Sequence, residues 1–87
     1  MRFEFDPAKS KANLAQHGID FEMGQALWRD PDGLVVMSRY PTEPRKLLIA
    51  QREGKLWTAI FTERGDVTRI ISVRHSRDNE RTAYYEQ

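Results

Sequence analysis

Four arginines, Arg69, Arg74, Arg77 and Arg81, fall within thirteen residues of the C-terminal third, beside His75. Guanidinium is permanently charged and meets phosphate oxygens in a bidentate fork, so this stretch is a plausible phosphate-handling surface. Other chemistries drop out. The chain has no cysteine, which excludes disulfides and a cysteine-based zinc site. It has no glycine-rich phosphate loop and no serine on a nucleophile-elbow pattern. His17 and His75 lack metal-ligand spacing to each other or to a carboxylate pair, so neither metal nor cofactor is expected. Chemistry must run on arginine, lysine, histidine, carboxylate and hydroxyl groups. That set suits metal-free cleavage of RNA, whose 2′-hydroxyl is an internal nucleophile. An enzyme need only position it, move protons and stabilise charge on phosphorus.

Arg74 and Arg69 are the first choice for phosphate contacts, and Arg74→Ala is expected to spare the fold while weakening cleavage. Both could instead be surface arginines paired with carboxylates. Strand alternation puts them on opposite faces unless a bulge intervenes. His75 is a candidate acid or base, because imidazole titrates near neutrality; the alternative is a surface or capping residue. His17 precedes Gly18 at an expected helix C-terminus, where a structural role competes with proton transfer. Glu43 and Arg45 flank a proline and could be a base and an RNA contact, or an exposed ion pair. Arg77 and Lys9 complete the RNA-binding candidates, with Lys9 and Lys11 otherwise a solvated helix face. Glu63 and Arg64 read as solvated turn residues. Trp28, Trp57 and Tyr84 read as packing groups.

The chain's 87 residues make one domain, 1–87. Its net charge is only +1, but residues 1–44 carry −2 and residues 45–87 carry +3, which suggests a localised anion-binding face. No apolar run approaches the roughly 20 residues that span a bilayer, and the N-terminus lacks a signal-peptide pattern. A cytoplasmic location is expected.

The elements that must position these residues follow from periodicity and turn signals. Arg2–Phe5 reads as a strand. Asp6-Pro7 opens a helix that Gly18 stops. Asp20 caps a second helix, whose Phe21 and Trp28 share a face, and Asp30-Pro31-Asp32-Gly33 ends it. The two helices should pack apolar faces onto a sheet. Strands are expected over Leu34–Tyr40, Arg45–Arg52, Leu56–Glu63 and Val67–Arg74, joined as antiparallel hairpins. Ser76 should cap a last helix reaching about Tyr85. The class is α+β: an N-terminal strand and two helices, an antiparallel sheet of about four strands, and a C-terminal helix.

These segments together resemble a known family. Phe5-Asp6-Pro7-Ala8-Lys9, Asn13 and His17-Gly18-Ile19-Asp20-Phe21-Glu22 look like its opening pattern. Glu43-Pro44-Arg45, Arg69 to Arg74, Glu80-Arg81 and Tyr84 look like its closing pattern. The family is the BrnT toxins of BrnT/BrnA type II toxin–antitoxin modules. The resemblance implies a RelE-like ribonuclease fold and a bacterial toxin that inhibits translation by cutting RNA. It also implies a BrnA-like ribbon-helix-helix antitoxin that represses its own operon, and a heterotetramer joined through that antitoxin. Arg45, Arg69, Arg74, Glu43, Lys9 and His17 are the positions carried across. Gln16 replaces a common lysine, Phe5 a common tryptophan, and His75 a common alanine or arginine, so a catalytic His75 is not implied. The expected function is a metal-independent endoribonuclease toxin. The alternative is a non-catalytic RNA- or protein-binding module that serves mainly as the antitoxin's partner.

Overall fold

The computed structural model describes residues 1–38 and 44–87. Its elements are β1 (Arg2–Glu4), α1 (Pro7–His17), α2 (Phe21–Gly24), β2 (Leu34–Met37), β3 (Lys46–Arg52), β4 (Lys55–Arg64), β5 (Val67–His75) and α3 (Asp78–Glu86). The described strands form one sheet in the order β1-β5-β4-β3-β2. β2 to β5 are the expected antiparallel meander. β1 adds a fifth strand, parallel to β5, so the sheet is mixed rather than purely antiparallel. The helices between β1 and the meander carry the chain across the sheet, which a parallel pairing requires. The expected strand residues Arg39 and Tyr40, and Pro41, Thr42 and Glu43 after them, lie outside the described residues.

Local chemistry explains the connections. Asp6 Oδ1 accepts from the Ala8 amide at 2.9 Å, and Pro7 begins α1 at no hydrogen-bond cost. Gly18 takes φ +80° and returns its N–H to the Leu14 carbonyl. Asp20 Oδ1 accepts from the Met23 amide at 2.7 Å. α2 is short and tightens into a 3-10 helix over Gln25–Arg29. Glu53 and Gly54 make the two-residue β3–β4 turn, both with positive φ (51° and 79°), which matches the twist of a hairpin.

The sheet's two faces are covered unequally. On one face Ile19, Phe21 and Leu27 bury against Leu48, Ala50, Ala59, Phe61, Ile70 and Val73. Trp28 closes the edge of this core, with its ring T-shaped against Phe3 and Phe61 at 5.0 and 5.1 Å. Among the described residues the other face carries α3, whose Tyr84 packs with Ile49 and Leu56 beside Leu34 and Val36. Among the described residues, nothing else packs over that second face.

Two expectations about the helices change. The buried side chains of α1 are Ser10 and Asn13, not an apolar stripe, and Leu14 is exposed. Asn13 Nδ2 donates to the Ile19 and Val73 carbonyls at 2.7 and 2.8 Å, and its Oδ1 accepts from the Val73 amide. β1 pairs with β5 only as far as Arg69. Beyond it, the Asn13 amide satisfies the strand edge that β1 leaves open. Ser10 Oγ accepts from the Phe21 amide and ties α1 to α2. α1 therefore docks by hydrogen bonds. The second change is at α3. Ser76 does not cap it: Arg77 holds the N-cap position, and the buried Ser76 hydroxyl bonds Thr58 at 2.9 Å.

Candidate functional site

β5 carries a bulge. Its pairing with β4 steps from Ile60–Ser72 to Phe61–Ile70, which leaves Ile71 as an extra residue. The extra residue resets the alternation. Ile70 and Val73 both enter the helix-covered core, and Arg69, Ser72 and Arg74 all turn to the open face. The arginines that parity would separate therefore share one face.

That face holds a cavity of about 200 Å³ lined by Lys9, Arg45, Arg64 and Arg69, with Glu4 and Ile71. Among the described residues, four cations thus line this cavity with one carboxylate. Lys9 comes from α1, so the fold does bring this helix lysine to the sheet. Arg69 pairs with Glu4 at 3.3 Å, both side chains being about half exposed. Such a pair contributes little to stability and opens readily. Lys9 and Arg64 make no ion pair with another described residue. Arg64 is exposed beside the turn, as a solvated turn residue would be, and also lines this cavity; its neighbour Glu63 pairs with Lys46 at 2.6 Å. Position on β4 with the parity of Thr62 was the available signal for Arg64.

A second cavity, of about 380 Å³, adjoins the first through Arg45 and Ile71 and reaches the start of α3. Arg74 and Arg77 line it. Arg74 is committed to a bidentate pair with Glu80, Nη1–Oε1 2.8 Å and Nη2–Oε2 3.0 Å. Glu80 also accepts from the Thr58 hydroxyl at 2.9 Å and the Arg77 amide at 2.8 Å. Burial by itself would raise the Glu80 pKa; the bonds from Arg74, Arg77 and Thr58, with the charge of Arg74, outweigh it and hold the pKa at about 2.

A parallel anchor secures the far end of α3. Asp30 Oδ2 accepts from the Tyr84 hydroxyl and the Gln51 amide, both at 2.8 Å. Burial opposes ionisation of Asp30, but bonds from the Gln51 and Asp32 amides and the Tyr84 hydroxyl bring its pKa below the ordinary value. Burial and the bond to Asp30 push Tyr84 up to about 12.

The histidines are elsewhere. His17 and His75 line a separate cavity with Arg52, Lys55 and Trp57. His75 stacks on Trp57 with centroids 4.1 Å apart, on the helix-covered face. Glu43 lies outside the described residues. Of the expected site residues, the fold gathers Lys9, Arg45 and Arg69 in one cavity and Arg45, Arg74 and Arg77 in its neighbour, apart from both histidines. No three His, Asp or Glu side chains cluster as metal ligands among the described residues. No helix among them is long and apolar enough to cross a membrane.

A small α+β domain with a cationic groove on an open sheet face has the shape and charge to hold a phosphate chain. The chain belongs to the BrnT family, ribonuclease toxins of type II toxin–antitoxin systems, whose profile it matches over residues 5–80. It has no match among the curated proteins. Membership brings with it an RNA target and an antitoxin partner.

Proposed function

We propose that this protein is a metal-independent endoribonuclease that inhibits translation, with the scissile phosphate held by Lys9, Arg45, Arg64 and Arg69. The convergence of those four cations in one cavity of the open sheet face carries the reading. Phosphoryl transfer gains most from fixed positive charge at the oxygens where negative charge develops. The RNA's own 2′-hydroxyl attacks phosphorus to close a 2′,3′-cyclic phosphate, the P–O5′ bond breaks, and the leaving 5′-oxygen takes a proton from solvent to become the new 5′-hydroxyl. A carboxylate takes the first proton: Glu4 lines the cavity, and Glu43 stands two residues before Arg45 in the chain. The two imidazoles, on the other face, have no part in this reaction. Arg74 positions α3 through Glu80, and Arg77 borders the RNA path.

Family membership supports the rest: a BrnA-like antitoxin with a ribbon-helix-helix DNA-binding part, assembly as a heterotetramer through that antitoxin, and action in the cytoplasm. The test is cleavage of a defined RNA by purified protein in EDTA, with both new ends mapped. New 5′-hydroxyl and 2′,3′-cyclic phosphate ends, lost in Arg64→Ala/Arg69→Ala, are expected. RNA binding without cleavage, on free RNA and on translating ribosomes alike, would instead indicate a non-catalytic binding module.

A further inference from the structure

The second cavity differs in chemistry from the first. Its floor is the cross-strand row Leu47–Ile60–Ser72, extended by the bulged Ile71. Neighbouring strands lie about 4.8 Å apart, so Leu47 and Ile60, with Ile71 beside them, make a short apolar strip that Ser72 borders. Leu47, Ile60 and Ile71 are each partly exposed. The wall is the Arg74–Glu80 pair, whose charges cancel, and the cations Arg45 and Arg77 also line the cavity. At the rim stand Ser72 Oγ and the Asn79 amide, and neither bonds another described residue. Arg45 and Arg77 can hold backbone phosphate at the cavity's ends, but the apolar strip between them, edged by Ser72 and Asn79, offers a phosphate nothing. It suits a nucleobase, which offers a flat face and a hydrogen-bonding edge.

We infer that this cavity is a nucleobase subsite, in which the base next to the held phosphate lies on Leu47, Ile60 and Ile71 and is read by Asn79 and Ser72. The two cavities share Arg45 and Ile71, so a phosphate in one and its nucleotide's base in the other need only adjoining space. The inference rests on the phosphate reading of the first cavity. Asn79 is the better reader because its amide offers two donors and an acceptor, enough for a bidentate contact with a base edge. It is exposed, so Asn79→Ala leaves the fold intact.

The experiment maps cut sites of the wild type, Asn79→Ala and Ser72→Ala on an RNA pool randomised around one bond. Beside it, nuclear magnetic resonance titrates the wild type with nucleoside 5′-monophosphates and with ribose 5-phosphate. The wild type should prefer particular bases at one position beside the cut. Asn79→Ala should lower cleavage at the preferred base about tenfold, toward the rate at disfavoured bases. Nucleotides, but not ribose 5-phosphate, should shift the Ser72 and Asn79 signals. A wild type without base preference, or one whose preference both variants keep, would overturn the subsite while cleavage still upheld the phosphate site. If the wild type cuts no RNA, free or on translating ribosomes, the catalytic reading fails and the titration decides alone. Nucleotide-specific shifts then support the cavity as a base site. Shifts at Ser72 and Asn79 only on adding the antitoxin would overturn it and mark a protein-docking surface.

Discussion

Arg74 and Glu80 meet in a bidentate pair that fastens α3 to the middle of the sheet, with only 19% and 7% of their side-chain surfaces exposed. This pairing changes what an Arg74 substitution measures. Arg74→Ala leaves a buried carboxylate without its cation, a loss of about 3 kcal/mol or more. The variant should unfold at clearly lower urea concentration than the wild type. An unchanged midpoint would show that the pair adds nothing to stability, and would restore Arg74→Ala as a clean probe of RNA contact.

The same pair sets an acid limit. Glu80 titrates near 2 in the folded protein against an ordinary value of 4.5. A depressed carboxylate stabilises fully above its unfolded pKa, and that contribution is lost as pH falls through the folded value. Folding stability should therefore drop by about 3 kcal/mol between pH 5 and pH 2 on account of this group. Asp30 adds to the loss in the same direction. Unfolding curves of the wild type and Glu80→Gln across this range are the check. The variant should start lower and fall less, and curves that stay parallel would assign the acid loss elsewhere.

The strand and turn pattern was legible because it is local. The Glu53-Gly54 turn, the Gly18 stop and the Asp6 and Asp20 caps are each read from neighbouring residues. What could not be read is set by distant contacts. The bulge at Ile71 exists only against β4, yet it decides that Arg69 and Arg74 share a face. Ser76 looks like a cap in sequence, but Thr58 on another strand claims its hydroxyl. Arg64 reads as a turn residue until Lys9, Arg45 and Arg69 arrive around it.

Arg64 gives the cleanest test of the cationic cavity, since no ion pair with another described residue holds it. Arg64→Ala should leave the unfolding midpoint within about 0.5 kcal/mol of the wild type, as exposed substitutions do. It should weaken binding of single-stranded RNA for every sequence alike. The slope of log affinity against log salt should fall by about 0.7, the value of one phosphate contact on a single strand. Anisotropy titrations at several salt concentrations measure this, and an unaltered slope would remove Arg64 from the RNA path.

Asn13 is the most consequential polar residue outside the groove. Its single amide answers the Ile19 carbonyl and both backbone groups of Val73, and it is buried. Val73 lies two residues beyond the bulge, so Asn13 also steadies the turned segment that aims Arg69 and Arg74. Asn13→Ala leaves three backbone groups without partners, at about 1 kcal/mol or more each. Asn13→Asp is worse, because a carboxylate faces two carbonyl oxygens it cannot donate to. Both variants should unfold early, and Asn13→Asp should recover as acid protonates the new carboxyl. Hydrogen exchange should show faster loss of protection at Val73 than in β3. Equal exchange in both strands would mean that Asn13 only fills space beneath α1.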